Sequence, residues 1–342
     1  FLVVLDTLLM APPETEVQVD WRLFGNEGHF GYRPAMPGEC VWRSLFAPVV
    51  RRPDDTSPSD PEPPAYVNVE RFNMLLAPRF RWLARGSASI EAQRADYHHV
   101  FTTHVRVIHP GIEEALHGLG GTLRAGLSLG VHKRVWNPGT AEYQGSRSLP
   151  TCEGYIEAAR RAIKRLEARC ARKVTNLFLA TDDAAAPAAF QRAFGGTDGP
   201  RLHVRPNVSR ATGGLNADGT LNEVHVASPH NPYTCGLQGA VDVVADALLL
   251  AACTALVHAD SNVTSAASYA NPKLEMMHVV DLLAVDPPSV GSAVACLPSH
   301  QESVLASSPL ASAAAAVAAR SAVRLPAWYV QPGYMAGERD GG

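Results

Sequence analysis

Residues 127–183 contain the feature that most limits what this chain can fold into: a strand-like run, a helix and a second strand-like run, each with its own hydrophobic period. "LSLGVH" (127–132) is an apolar run of strand length. "EGYIEAARRAIKRLEARC" (153–170) places Ile156, Ala159, Ile163 and Leu166 at helical spacing on one face. "TNLFLATDD" (175–183) returns to the strand pattern. The alternation continues with "RLHVRPN" (201–207) as a strand and "GAVDVVADALLLAAC" (239–253) as a helix. "ALVH" (255–258) then reads as a short strand and "ADSNVTSAASYA" (259–270) as a turn leading into a helix. Ahead of these, "HPGIEEALHGL" (109–119) carries a proline and acidic residues where a helix begins. Strands alternating with helices specify an α/β fold with a parallel sheet.

The remainder of the 342 residues sets bounds. A chain that is 46% apolar and 18% charged can bury one large or two medium cores. A net charge of −3 with signs interspersed offers no polybasic face, so nucleic acid is not an expected partner. Cys40, Cys152, Cys170, Cys235, Cys253 and Cys296 show no C-x-x-C pairing, which argues against a zinc module and leaves disulfides open. The chain starts at Phe1 inside "FLVVLDTLLMA", read as the end of an apolar helix stopped by Pro12-Pro13, so the N-terminus is expected to be truncated. "EVQVDWRL" (16–23) alternates as a strand, 51–66 reads as a polar surface loop, and a helical, Arg-rich stretch runs to about 96. Residues 240–257 are strongly apolar but include Asp242 and Asp246, which favours a buried helix and strand over a membrane span. The Ala/Ser-rich tail from 304 is expected to be peripheral.

In an open parallel sheet, ligands sit beyond the carboxyl ends of the strands. Polar residues collect at three such ends: His132, Lys133 and Arg134; Asp182 and Asp183; and Asp260, Ser261 and Asn262 after "ALVH". Arg134 carries a permanent forked charge suited to phosphate oxygens, the alternative being a surface arginine. Lys133, one residue away and on the other side, is expected to be solvated. His132 could meet a ligand or be structural. Ser261 and Asn262 can cap a helix whose N–H groups and dipole attract phosphate, although capping by itself would explain them. Asp246 is a carboxylate in an apolar helix, where an unpaired charge is costly. Either a ligand that offers donors or an internal salt bridge would satisfy it. The chain has no phosphate-loop, nucleophile-elbow or zincin motif, and Asp182-Asp183 is an adjacent pair, not the spaced D-x-D of many metal-held sugar nucleotides.

Taken together, "LGVHKRVWN", "LFLATDD" and "DALLLAACTALVHADSNVTSAASYANP" resemble, in order and spacing, the GDP-fucose-dependent fucosyltransferases. That family includes the α1,6-fucosyltransferases and protein O-fucosyltransferases, and the nodulation-type α1,6 branch is nearest in pattern. The resemblance covers about 105–285 and, more faintly, 19–50. It implies a GT-B-like fold of two Rossmann-like domains facing a cleft: an incomplete acceptor-side domain at 1–108, a donor domain at 109–285 and a tail at 286–342. It further implies a metal-independent, inverting transfer of fucose from GDP-fucose, with no cofactor, to a glycan, lipo-oligosaccharide or protein hydroxyl. In that pattern Arg134 holds the β-phosphate and is the catalytic residue, and His132 approaches the nucleotide. Asp182 and Asp183 lie near the donor, Asp246 reads the guanine, and Ser261, Asn262 and Val263 face the diphosphate. Where the α1,6 class often has a second arginine and then an aspartate, this chain has Val135 and Asn137.

No general base stands out. Glu142, Glu153 and Glu223 are candidates by residue type alone, and Glu223 and His225 in "NEVHV" lie in a loop that could border the acceptor. The readings of another kind are a non-catalytic GDP-sugar- or glycan-binding relative and a transferase using another nucleotide sugar. The N-x-[ST] sequons at Asn207 and Asn262 do not fix the compartment, which is the Golgi lumen in a eukaryotic reading and the cytoplasm in a bacterial one. The oligomeric state is not legible.

Overall fold

The structure, a computed structural model, describes residues 4–5, 8–9, 17–19, 40–47, 49–51, 65–67, 90–135, 150–214, 222, 224, 237–259, 261–284 and 330–332. The chain divides into two units. One comprises Phe1–Val19, Val49–His104 and Leu297–Gly342, and the other comprises Asp20–Pro48 and Val105–Cys296. In the first unit, β1 (Val17–Gln18) pairs antiparallel with β2 (Val50–Arg51), and β3 (Ala65–Val67) pairs antiparallel with β9 (Val330–Pro332). This unit also holds the described helix α2 (Ile90–His104). Apart from β9, the tail from 304 lies outside the described residues.

The second unit carries the parallel α/β sheet that the alternation predicts. It opens with α1 (Val41–Leu45), whose Trp42 is fully buried and donates through Nε1 to the Ala47 carbonyl at 3.2 Å. Then follow α3 (Pro110–His117), α4 (Leu119–Ala125), β4 (Ser128–Lys133), α5 (Cys152–Cys170), β5 (Asn176–Thr181) and α6 (Ala186–Phe194). The series continues with β6 (Arg201–Val204), α7 (Leu237–Ala251), β7 (Ala255–His258), α8 (Asn262–Ala270), β8 (Glu275–His278) and α9 (Val279–Ala284). The five strands are all parallel in the order β6-β5-β4-β7-β8. This is a Rossmann-like arrangement, with the chain reversing direction across the sheet between β4 and β7. No described helix is long and apolar enough to cross a membrane, and residues 240–257 form a helix followed by a strand.

Local chemistry explains the element ends. Pro110 occupies the first turn of α3, and the His109 side chain accepts from the Gly111 amide at 3.2 Å. Thr151 caps α5 by accepting from the Gly154 amide, and the helix stops at Ala171 in the left-handed region with φ 48°. The strand period of two divides the core into layers. Leu129, Val131, Leu177, Leu179, Ala255 and Val257 point to the side covered by α5, α6 and α9, where they meet Tyr155, Ala159, Leu166 and Phe190. Phe178, Ala180 and Leu256 point the other way, onto Leu123, Leu249, Leu250 and Ala267 of α4, α7 and α8. Both faces are covered, so the strands read as continuous apolar runs.

Gly130, at the centre of β4, lets α7 approach the sheet. A Cβ there would lie 3.0 Å from Leu250 Cδ2, 3.3 Å from Cys253 Sγ and 3.4 Å from Leu256 Cδ1. Overpacking of a close-packed core typically costs about 1–3 kcal/mol. Gly130→Val is therefore expected to lower the unfolding free energy by that amount and the urea midpoint with it, and an unchanged midpoint would contradict the packing.

Candidate functional site

The order of the sheet reverses at β4 and β7, and in open α/β sheets the crevice beyond the strand ends at such a reversal is where ligands bind. The last ladder pair between the two strands is Val131 with Val257. One residue further on stand His132 and His258, and His258 in turn pairs with His278 of β8. The rings of His258 and His278 meet edge to face with centroids 5.4 Å apart. Three imidazoles thus lie on adjacent strands toward the α7 and α8 side.

His132 is buried, and its pKa is pushed down to about 3, mainly by desolvation and further by Arg134 and His258. It is a neutral imidazole at physiological pH, able to hydrogen-bond a ligand but not to neutralise one. His258 Nδ1 lies 3.1 Å from the Ala259 carbonyl, so that nitrogen carries the proton and donates. His278 Nδ1 accepts from the Val280 amide at 3.3 Å, so its proton sits on Nε2. At this strand end the cationic charge comes from Arg134, which is half-buried just past β4.

Lys133 departs from expectation. It lies on the side away from Arg134, as the strand period requires, but it is 5% exposed and not solvated. Its ammonium forms an ion pair with Asp183 and approaches the Tyr155 ring with Nζ 6.0 Å from the centroid. A lysine can occupy this apolar layer because a carboxylate from the neighbouring strand end is buried with it.

Asp182 and Asp183 form the other half of the same arrangement. The Asp182 carboxylate accepts from the Val135 amide, and the Asp183 carboxylate pairs with Lys133. Asp183 Oδ1 also accepts from the Ala185 amide at 2.8 Å, fastening the turn into α6. The residues on either side of Arg134 are thus both held by the end of β5. Val135, where the resembling family often has a second arginine, is a buried side chain. Asn137 lies outside the described residues.

At the end of β7, Ser261 caps α8 through a reciprocal capping box. Its Oγ accepts from the Val263 amide at 3.1 Å and the Thr264 amide at 3.2 Å, while Thr264 Oγ1 accepts from the Ser261 amide at 3.2 Å. Capping accounts for Ser261 and takes up the Val263 amide. Asn262, the exposed first residue of α8, stands where the helix dipole is positive.

Asp246 is half-buried on α7 and lies on neither strand end. Arg205 Nη1, from the loop after β6, donates to its Oδ1 at 3.0 Å. Of the two ways the sequence left open for satisfying this carboxylate, the internal salt bridge is present. Burial still pushes the Asp246 pKa up to about 6, against the pull of Arg205. Glu142, Glu223, His225 and Asp260 lie outside the described residues. Glu153 is a fully exposed residue in the first turn of α5, held below the ordinary carboxylate range mainly by hydrogen bonding at that helix start.

Sequence reasoning missed His258, His278 and Arg205. The final residue of "ALVH" was visible as a strand-end histidine; nothing local marks Arg205 as the partner of carboxylates 37 and 41 residues away. Among the described residues, no group of three or more His, Cys, Asp or Glu side chains could hold a metal ion. Among the described residues, Cys152, Cys170 and Cys253 are free thiols.

No protein-family profile and no curated protein sequence matches the chain. Several solved structures are similar at low identity. NodZ α1,6-fucosyltransferase soaked with GDP-fucose is 18% identical with a TM-score of 0.33, over 52% of this chain and 47% of that one. Fucosyltransferase NodZ from Bradyrhizobium is 17% identical with a TM-score of 0.38, over 69% and 77%. NodZ co-crystallised with GDP is 16% identical with a TM-score of 0.37, over 69% and 77%. The chain spans about half the length of the first of these. A likeness at this level does not carry to the site or the activity.

The Lys133–Asp183 pair gives a testable energy, with side-chain exposures of 6% and 15%. Removing one partner of a buried pair typically costs about 3–5 kcal/mol, whereas replacing both with apolar residues is often neutral. Lys133→Met is expected to destabilise the fold by that amount, and adding Asp183→Leu to recover most of it, in a chemical-denaturation double-mutant cycle. A single-variant loss below about 1 kcal/mol, the value of an exposed pair, would place Lys133 in solvent.

Proposed function

We propose that this chain belongs to a metal-independent, inverting glycosyltransferase that moves fucose from GDP-fucose to a hydroxyl of a glycan, lipo-oligosaccharide or protein acceptor. The observation that carries the reading is the convergence of His132, Arg134 and the N-terminus of α8 at the reversal point of the sheet. The sequence resemblance supplies the donor and the GT-B-like, two-domain arrangement.

The chemistry asks chiefly for leaving-group stabilisation. As the bond from C1 of the sugar to the β-phosphate oxygen breaks, negative charge grows on the diphosphate. An acceptor hydroxyl attacks C1 from the opposite face and loses its proton, and inversion follows. A permanently charged arginine at the strand end opposes the developing charge without changing its own protonation state. The α8 dipole and the Asn262 amide at its first position add to this. Neutral His132 contributes a hydrogen bond. In this scheme Asp182 and Asp183 position Arg134 through the Val135 amide and the Lys133 ammonium, and Asp246 meets the guanine. Glu223 and His225 are proposed on the acceptor side from sequence alone.

A non-catalytic GDP-sugar-binding relative is the second reading, and the burial of Val135 in place of a second arginine favours it. One assay separates the two. Losing a single charged transition-state contact costs about 2–4 kcal/mol, roughly 10²–10³ in rate. Arg134→Ala is expected to lower fucose transfer and donor hydrolysis by that factor with an unchanged circular-dichroism spectrum. Near-normal turnover in the variant would overturn the catalytic role, and GDP binding without any turnover in the unsubstituted protein would establish the second reading.

A further inference from the structure

Arg205 makes the most connected buried contact that the mechanism above leaves unused. It follows β6 directly and reaches α7 with both arms of its guanidinium. Nη2 donates to Asp242 Oδ1 at 2.9 Å, and Nη1 donates to the Asp242 carbonyl at 3.0 Å and to Asp246 Oδ1 at 3.0 Å. Asp242 and Asp246 are one helical turn apart on the same face, so two carboxylates share one cation. Gln238 Nε2 adds a donor to Asp242 Oδ1 at 3.1 Å. The loop carrying Arg205 is itself fixed, because Arg210 donates to the Arg205 carbonyl at 2.9 Å and to the Val208 carbonyl at 3.2 Å.

The two carboxylates are not equivalent. Asp242 takes three of these contacts through its carbonyl and one oxygen, and its side chain is 7% exposed. Its Oδ2 is buried without a hydrogen-bond partner among the described residues. Asp246 receives one arm of the fork and keeps 14% exposure. Asp242 therefore anchors the guanidinium, and Asp246 is the carboxylate held at the edge of the cluster. Burial raises the Asp246 pKa and Arg205 opposes that shift, and a protonated carboxyl is a poor acceptor for a base edge that offers two donors.

We propose that Arg205 is a positioning residue for base selection: it fixes the Asp246 oxygens to accept from the N1–H and 2-amino group of a guanine, with Asp242 as its anchor. This rests on the GDP-sugar reading. A purely structural Arg205, tying the loop after β6 to α7, would affect stability but not the choice of base.

The test is titration calorimetry of the full chain with GDP and with inosine diphosphate, which lacks the 2-amino group. It uses the unsubstituted protein, Arg205→Lys, Arg205→Met and Arg205→Met/Asp242→Asn, each with a melting curve. The unsubstituted protein is expected to prefer GDP by about tenfold or more, the scale set by leaving a charged hydrogen-bonding group unpaired. In both Met variants the GDP affinity falls, and the preference closes to within about twofold of unity. Arg205→Lys, with its charge but not its fork, is intermediate. If a Met variant does not fold, the ratio in Arg205→Lys decides. A GDP preference unchanged in the folded variants, whatever their melting temperature, overturns the proposal. An unsubstituted protein that binds neither nucleotide overturns the GDP-sugar reading, and this proposal with it.

Discussion

The end of β4 is held by the end of β5, and the candidate site depends on that connection. Lys133 and Asp183 are buried together, and the Asp182 carboxylate takes the Val135 amide, so Arg134 has a fixed residue on each side. Neither half stands well alone. A lysine in the apolar layer beside Tyr155 without a counter-ion is expensive, and a strand end without the Val135 contact has one orphan amide more. The turn residues after β5 therefore fix the residues on both sides of Arg134.

The remaining chemistry follows from the order of the strands. Because the strand order reverses between β4 and β7, the end of one strand and the start of the helix after the other lie at the same edge of the sheet, the place where open α/β sheets bind ligands. Burial keeps His132 neutral, which leaves the permanent charge to arginine. Ser261 closes the first turn of α8 by accepting through its oxygen, which leaves its O–H as a donor, and the helix N-terminus adds its dipole. A site with one fixed cation, one neutral imidazole and a helix N-terminus is suited to a diphosphate leaving group.

The regular elements were legible because their periods are local. "LSLGVH", "TNLFLATDD" and "ALVH" became strands, and the helix from Cys152 to Cys170 buries the stripe read from Ile156, Ala159 and Leu166. Proline at the start of α3 and serine at the cap of α8 behaved as their side-chain chemistry dictates. Lys133 was misread because a charged residue at a strand end looks solvated unless its partner is known, and Asp183 lies 50 residues further along the chain. Asp246 was readable as a carboxylate needing donors, yet the choice between a ligand and Arg205 depends on how the loop after β6 meets α7, and no local pattern encodes that meeting. Asp20–Pro48 grouping with Val105–Cys296 is likewise a long-range fact; within it, Trp42 is buried and the Ala47 amide reaches the Arg106 carbonyl at 2.8 Å.

The central claim is that the reversal point of this sheet takes a GDP-sugar through Arg134 without a metal. Titration calorimetry with GDP, UDP and dTDP in the presence of EDTA tests it most directly. The account predicts saturable binding of GDP in preference to the pyrimidine nucleotides, and its loss in Arg134→Ala. GDP binding that requires a divalent cation, equal binding of UDP, or binding that survives the arginine substitution would contradict it.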